Sequence, residues 1–312
     1  MQIIEQKERF ASDVPTIVVL GKFDGIHIGH KEILRVMRDK KKELAHVGAK
    51  TVAFTFCPSP ASFFSGRMIP ELMTGQEKRI ALAAEGVDIL WEFPLNDHTA
   101  ATEPYLFVED ILHRHLKAAV VVAGEDVSFG KNGLGDASLL MQCAKEFGFE
   151  LVLLPKICMD GGEVSSSRVR DEIAAGNMEE AMKLLGNPYR ISGVVERGAM
   201  RGREFGFPTM NLYPVDGKLL PPYGVYFANV VTRKGIFHSI TDIGVKPTVT
   251  NEGKRIVEAC LFDFDEEFYG ESITVELLHY RRPEVHFASV EELISTLKED
   301  AASGKRYFQL DA

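Results

Sequence analysis

Two histidines, His27 and His30, lie three residues apart in a glycine-bearing turn, LGKFDGIHIGH, that follows a short apolar run. Gly25 and Gly29 let the backbone approach a phosphate closely, and a helix beginning near Gly29 would add oriented N–H groups. Imidazoles placed there can stabilise the charge that builds on an α-phosphate and on a departing pyrophosphate. The spacing leaves two alternatives open: ordinary surface histidines, or a metal site that includes Asp24.

A second segment, GAMRGREFGFPTMN, has the glycines of a phosphate-binding loop, which are Gly198, Gly202 and Gly206. Thr209 and Asn211 are two apart, so that on a strand they would share a face and offer neutral oxygens to a cation such as Mg²⁺. The alternative is that the glycines make plain turns. No GxxxxGK[ST] motif occurs, which excludes the P-loop solution. A chain with both segments is expected to perform two consecutive reactions on one nucleotide donor.

The length, charge and composition of the chain restrict its class, its cellular location and its partners. The 312 residues are enough for two domains, and no apolar run is long enough to cross a membrane. A net charge of −9 without a basic run argues against a nucleic-acid partner. The N-terminus has no signal-peptide pattern, and the four cysteines are too scattered for a disulfide framework. We therefore expect a cytoplasmic enzyme whose partners are small molecules.

Strand and helix patterns alternate through about the first 185 residues, which predicts a parallel α/β sheet covered on both faces. The predicted strands are Thr16–Gly21, Thr51–Phe56, Asp88–Phe93, Ala118–Ala123 and Leu151–Leu154. The predicted helices are Gly29–His46, Gly75–Glu85, Glu103–Leu116, Ala137–Phe147, Ser165–Ala175 and Met178–Leu185.

The sequence pattern changes after Leu185, where long helical periodicity gives way to short strand patterns. These predict a small antiparallel barrel followed by a terminal helix, Val290–Ser303. Its predicted strands are Tyr189–Glu196, Gly224–Val231, Phe237–Ile243, Ile256–Phe262 and Ile273–Leu278. The turn-forming sequence GNPY places the boundary between the two domains near Gly186–Pro188. The predicted domains are residues 1–186 and 187–312.

The first turn resembles the HxGH motif of the nucleotidyltransferase superfamily. Its wider pattern, GxFDGxHxGH, is similar to the FAD synthetase module of prokaryotic bifunctional riboflavin kinase/FMN adenylyltransferases. TFCPSP, GEDVSFG and SSSRVR resemble further motifs of that module, in the same order. The resemblance implies a Rossmann-like domain in which His27 and His30 are catalytic. The ATP-binding residues that it implies are Gly21, Phe23, Asp24, Gly25, Gly29, Asp126, Ser165, Ser166, Ser167 and Arg170.

The chain departs from that family pattern at five positions around the implied flavin and adenine pocket, which are Cys57, Ser59, Val127, Ser128 and Gly133. The residues implied to bind the ATP phosphates are kept. Adenylyl transfer is therefore expected, with slow turnover or a high FMN requirement.

The second segment resembles the riboflavin kinase signature GxxxGRxxGFPTAN, with Met210 in place of alanine. LPPYGVYF, DIGVKPT, VEACLFDF, FYG and RRPEVHF continue the resemblance to the C-terminus. It implies that Glu258 is the catalytic base and that Thr209 and Asn211 bind Mg²⁺. The ATP- and flavin-binding residues that it implies are Gly198, Gly202, Arg203, Gly206, Phe207, Pro208, Thr209 and Asn211.

The two resemblances together imply phosphorylation of riboflavin to FMN by the barrel, and adenylylation of FMN to FAD by the α/β half, with ATP as the donor. Two alternatives stay open. One is a riboflavin kinase whose N-terminal half is impaired, and the other is a flavin-binding regulator without catalysis. Thr209, Asn211 and Glu258 count against the regulator, since a sensor does not need a catalytic base.

Overall fold

A computed structural model of the chain describes residues 1–197, 207–246, 254–264 and 268–310. It divides into two compact units, Met1–Ser166 and Ser167–Ala312. Among the described residues, no helix has the length and apolar character needed to cross a membrane.

The first unit contains a six-stranded sheet in which every pairing is parallel, as predicted. The strands lie in the order β1-β4-β3-β2-β5-β6. Their bounds are β1 Gln2–Glu5, β2 Thr16–Leu20, β3 Lys50–Cys57, β4 Ile89–Pro94, β5 Ala118–Gly124 and β6 Glu150–Leu154. The edge strand β1 was missed by the sequence patterns, because only one of its four residues is buried.

Helices cover both faces of this sheet, and a separate apolar core lies under each layer. One core contains Phe54, Trp91 and Phe107, and the other contains Phe23 and Leu34. The helices are α1 Ile28–Glu43, α2 Pro60–Ser65, α3 Gly75–Ala84, α4 Asp97–Ala100, α5 Pro104–Leu106 and α6 Ala137–Phe147. A π-helical stretch, Phe107–His115, continues α5, and a two-residue hairpin is formed by β7 Cys158–Met159 and β8 Gly162–Glu163.

The order of the strands reverses at β2, which lies between β3 and β5. At such a switch point the connections leave the two neighbouring strands in opposite directions, and a crevice opens at the carboxyl ends of the strands. The turn that follows β2 lies at this crevice. The sheet topology therefore positions the two histidines where ligands bind in open α/β sheets.

The second unit contains a closed antiparallel barrel with the strand order β10-β13-β12-β11-β14-β9, and a long terminal helix. The barrel and its terminal helix were predicted, but β10 is only three residues long and escaped the pattern. The strands are β9 Tyr189–Glu196, β10 Met210–Leu212, β11 Gly224–Thr232, β12 Gly235–Lys246, β13 Lys254–Leu261 and β14 Ser272–Pro283. The helices are α7 Ser166–Ala175, α8 Met178–Leu185 and α9 Val290–Tyr307.

Helices α8 and α9 both pack on the barrel. Helix α8 lies against β9 and β14, and its Glu179 Oε1 is 2.6 Å from Nδ1 of His279. Helix α9 approaches β12 and β13 closely at Gly304, where an added Cβ would lie 2.7 Å from Cζ of Phe262. A side chain at position 304 would therefore require the Phe262 ring or the helix to shift.

Candidate active sites

The turn after β2 has an unusual backbone that side-chain packing holds in place. Phe23 and Ile26 have φ angles of 48° and 42°, and Gly25 has a φ of 88°. Non-glycine residues adopt such angles only where the surroundings compensate for the strain. Phe23 is fully buried, and its ring fills the space beside Gly21, where an added Cβ would lie 2.9 Å from Phe23 Cζ. The packing of Phe23 thus fixes the path of the chain into α1.

His27 caps the N-terminus of α1 and stacks on His30, with ring centroids 3.8 Å apart. The Nδ1 atom of His27 accepts a hydrogen bond from the backbone N–H of His30 at 3.4 Å, so a neutral His27 has its proton on Nε2. An added Cβ on Gly29 would lie 3.1 Å from that Nδ1 atom. His27 is only 8% exposed, which argues against an ordinary surface histidine.

Both imidazoles are neutral at pH 7 in this environment. Burial lowers the pKa of His27 to about 4, although the charge of Asp126 acts in the opposite direction. Burial also lowers the pKa of His30 well below its usual value, and the positive charge that His27 carries when protonated and the charge of Lys78 lower that pKa further. The pair can therefore donate hydrogen bonds to phosphate oxygens. Positive charge for a bound polyphosphate has to come from other groups.

Asp24 ties the turn to two other elements. It is 6% exposed, its Oδ1 atom accepts a hydrogen bond from the Met73 N–H at 3.2 Å, and its carbonyl oxygen accepts one from the Ser166 hydroxyl at 2.8 Å. Within the described parts of the chain, no group of three or more His, Cys, Asp or Glu side chains is arranged to hold a metal ion. The structure thus gives no support to a metal site at Asp24, His27 and His30.

The other residues implied by the family motifs follow β5, or lie in α7 and at the residue before it. Asp126 follows β5, its charge acts on His27, and its Oδ2 atom is 3.6 Å from Nζ of Lys156. Ser165 and Ser166 lie at the start of α7, and Ser167 and Arg170 lie further along α7 in the second unit. The family departures flank β2 on both sides. Cys57 and Ser59 lie at and beyond the end of β3, whereas Val127, Ser128 and Gly133 follow β5.

In the barrel, the strand register brings three polar residues into one row. Glu258 lies directly opposite Asn211 on one side and Asp242 on the other. Directly opposed residues of antiparallel strands project from the same face. Because Val257 and Ala259 are fully buried inside the barrel, Glu258 and its two neighbours project from the outer face. The row combines a carboxylate base with amide and carboxylate oxygens.

Asp242 was not singled out by the sequence patterns, although it lies beside the predicted catalytic base. Burial, together with the charges of Glu284 and Glu258, raises the pKa of Asp242 to about 7, while Arg282 acts in the opposite direction and Asp300 raises the pKa further. Arg282 is itself bound to Asp300 of α9 at 2.6 Å. Only the register between β12 and β13, which the local sequence does not contain, places Asp242 next to Glu258.

The remaining predicted kinase residues divide into two groups. Phe207, Pro208 and Thr209 are partly buried and lead into β10, so Thr209 lies just before the strand and Asn211 lies within it, 4% exposed. The loop residues Gly198, Gly202, Arg203 and Gly206 lie outside the described residues.

Comparison with known protein families gives two matches, which divide the chain between them. Residues 10–168 match the FAD synthetase family, and residues 185–308 match the riboflavin kinase family. The first match contains the two histidines, and the second contains the row that includes Glu258.

Individual relatives cover almost the whole chain. A bifunctional riboflavin kinase/FMN adenylyltransferase from Haemophilus influenzae is 32% identical over 293 residues, which are 93% of this chain and 94% of the relative. Its counterpart from Escherichia coli K12 is 31% identical and covers 94% and 93% of the two chains. A crystal structure described as a macrolide-efflux protein from Streptococcus pneumoniae matches with a TM-score of 0.85 at 30% identity, over 97% of this chain and 98% of that one. Two family matches in this order, with relatives of the same extent, show that the chain belongs to the bifunctional riboflavin kinase/FMN adenylyltransferase family.

Proposed function

We propose that the chain makes FAD from riboflavin in two steps, with ATP as the donor in both. The observation that carries this proposal is the presence of two chemically different sites in one chain. Stacked neutral histidines lie at the switch point of a parallel sheet, and a glutamate lies beside a buried asparagine on a barrel. The partners are then small molecules. The cytoplasmic location and the lack of a nucleic-acid partner stay predictions from the sequence.

The first site suits adenylyl transfer. A phosphate oxygen of FMN attacks the α-phosphorus of ATP, and the bond to the bridging oxygen breaks, so that pyrophosphate leaves with the electron pair. His27 and His30 donate hydrogen bonds to the oxygens on which negative charge accumulates. Gly21, Phe23, Gly25 and Gly29 shape the turn that receives the phosphates. Ser165, Ser166, Ser167 and Arg170 are proposed to bind the ATP phosphates at the start of α7.

The second site suits phosphoryl transfer from ATP to the 5′-hydroxyl of riboflavin. Glu258 accepts the hydroxyl proton as the oxygen attacks the γ-phosphorus. The oxygen donors of Thr209 and Asn211 fit Mg²⁺, which when bound neutralises phosphate charge in such reactions. Asn211 is held directly opposite Glu258 by the β10–β13 register, so the amide and the proposed base lie side by side. The remaining residues proposed to bind ATP and the flavin are Gly198, Gly202, Arg203, Gly206, Phe207 and Pro208.

The direct test is to incubate the purified chain with Mg-ATP and either riboflavin or FMN, and to resolve the flavins by chromatography. We expect FMN and then FAD from riboflavin, FAD and pyrophosphate from FMN, and no product from either substrate when the metal is chelated. The five departures from the family pattern predict a high FMN requirement for the second reaction. If FAD does not form at any FMN concentration, the N-terminal half is not an adenylyltransferase, and a kinase alone remains.

The boundary at residues 186 and 187 is proposed as the division between the two catalytic domains. Helix α8 lies before this boundary in the sequence, but it packs on strands β9 and β14 of the barrel. Its residues Met178, Leu184 and Leu185 are buried. A fragment 187–312 is expected to phosphorylate riboflavin but to unfold at a lower temperature than a fragment 167–312, because it loses the apolar face of α8. Thermal unfolding and riboflavin turnover of both fragments check this. A folded but inactive 187–312 fragment would show that the kinase site needs residues before position 187.

A further inference from the structure

A lysine of helix α3, Lys78, is turned inward rather than toward solvent. Its side chain is 10% exposed, and four residues further along α3 lies Leu82, which is fully buried on the same face of the helix. Lysine is rarely buried to this extent without a partner for its charge. Its ion pair with Glu71 is a long one, 3.4 Å from Nζ to Oε2. A buried ammonium of this kind is suited to receive an anion.

The ammonium of Lys78 lies at the crevice where the histidine turn is located. Helix α3 begins just after Met73, whose N–H group is bound to Asp24 of that turn. The charge of Lys78 acts on His30 and also on Cys57, the last residue of β3. The turn at Asp24, His30 of α1 and the end of β3 at Cys57 therefore all locate Lys78 at the carboxyl ends of β2 and β3.

The two sides of β2 carry side chains of opposite charge. On the β5 side lies Asp126 in the segment that resembles a nucleotide-pocket loop, and on the β3 side lies Lys78. In-line displacement at the α-phosphorus requires the attacking and the leaving oxygens to lie on opposite sides of that atom. Because His27 and His30 are neutral, neither brings a positive charge to the attacking phosphate.

We propose that Lys78 binds the phosphate group of FMN and positions its oxygen for attack on the α-phosphate of ATP. This proposal rests on the adenylyl-transfer function proposed above. In the reaction, an FMN phosphate oxygen supplies the electron pair of the new P–O bond, and the bond from the α-phosphorus to the bridging oxygen breaks. Its electron pair leaves with pyrophosphate, no proton is transferred, and Lys78 stays protonated. The lysine reduces the repulsion between two anions as they approach each other.

The experiment compares the wild-type chain with Lys78→Met, Lys78→Arg and the control Lys42→Met, a lysine of α1 whose side chain is 77% exposed. We expect Lys78→Met to lower kcat/KM for FMN by about 10- to 100-fold, the loss typical of a charge-assisted hydrogen bond, and to leave the KM for ATP unchanged. Lys78→Arg is expected to recover most of this loss, and Lys42→Met to behave as wild type. Riboflavin phosphorylation should be the same in all four proteins.

Correct folding is checked independently of activity. Trp91 is the single tryptophan of the chain and is fully buried in the same unit as Lys78, so its fluorescence spectrum reports the fold of each variant. If Lys78→Met misfolds, Lys78→Gln is measured in its place, and Lys78→Arg serves as the variant that keeps the positive charge.

Three results would overturn the assignment of Lys78. The first is an unchanged kcat/KM for FMN, and the second is a rise in the KM for ATP with no rise in the KM for FMN. The third is a raised KM for pyrophosphate in the reverse reaction, which would place the lysine on the leaving group instead. These results differ from a failure of the proposed function. In that case the wild-type chain forms no FAD, whereas a wrong assignment of Lys78 leaves wild-type FAD formation intact.

Discussion

Replacement of both His27 and His30 by alanine is expected to abolish FAD formation from FMN and to leave FMN formation from riboflavin nearly unchanged. The two rings stack on each other, and the Nδ1 atom of His27 accepts the His30 N–H, so a neutral His27 has its Nε2–H donor for a ligand. Loss of one such donor from a polar site typically costs about 10²- to 10³-fold in rate, and the double change removes two. Chromatographic separation of the flavins measures both reactions in one sample.

The same variant also has an effect on stability that depends on pH. Burial lowers the pKa of His27 from 6.5 to about 4 in the folded chain, so the folded state binds fewer protons than the unfolded state between these values. The free energy of unfolding is therefore unaffected by the protonation of His27 above pH 6.5, and it decreases as the pH falls toward 4, because the folded state resists this protonation. The contribution of His27 to this loss is about 3 kcal/mol in wild type, and the variant lacks it.

Urea unfolding followed by Trp91 fluorescence at pH 7 and pH 4 measures this difference in the α/β unit. The wild type should lose more of its unfolding free energy between the two pH values than the variant does. If the variant stops riboflavin phosphorylation as well as FAD formation while its α/β unit stays folded, the two sites are coupled and independent function is wrong.

The change Glu258→Gln is expected to reduce riboflavin phosphorylation by about 10²- to 10⁴-fold, the usual contribution of a general base. Glutamine keeps the size of the side chain and can still form hydrogen bonds, but it does not accept a proton at neutral pH. Riboflavin binding should persist, because Asn211 and the strand register are unchanged. FAD formation from added FMN should equal that of wild type, since the α/β unit has its own site.

A matched control is Glu271→Gln. Glu271 is the residue before β14, and its carboxylate pairs with Arg233, away from the row of Asn211, Glu258 and Asp242. This control is expected to retain full kinase activity. Wild-type turnover in a folded Glu258→Gln protein would remove Glu258 from the mechanism. Asp242, the neighbouring carboxylate, would then be the next candidate for the base.

The local sequence was sufficient for the order of the elements and for the two motifs. The parallel strands of the first unit are apolar runs because both of their faces are covered, and such runs are recognisable without any tertiary information. The glycine turn before His27 and the segment before Asn211 were recognisable for a similar reason. Residues that must shape a backbone around phosphate have to be close together in the chain.

The tertiary structure decided which other side chains join these motifs. Asp242 lies opposite Glu258 through the β12–β13 register, and the bond between Met73 and Asp24 holds the start of α3 at the turn, so that the charge of Lys78 acts on His30. The edge strand β1 forms because its backbone pairs with β4, although its side chains are mostly exposed. The protonation states of His27 and Asp242 depend on burial, which exists only once the chain has folded. Contacts between residues distant in the sequence depend on how whole elements pack, and no local pattern of residue types contains that information.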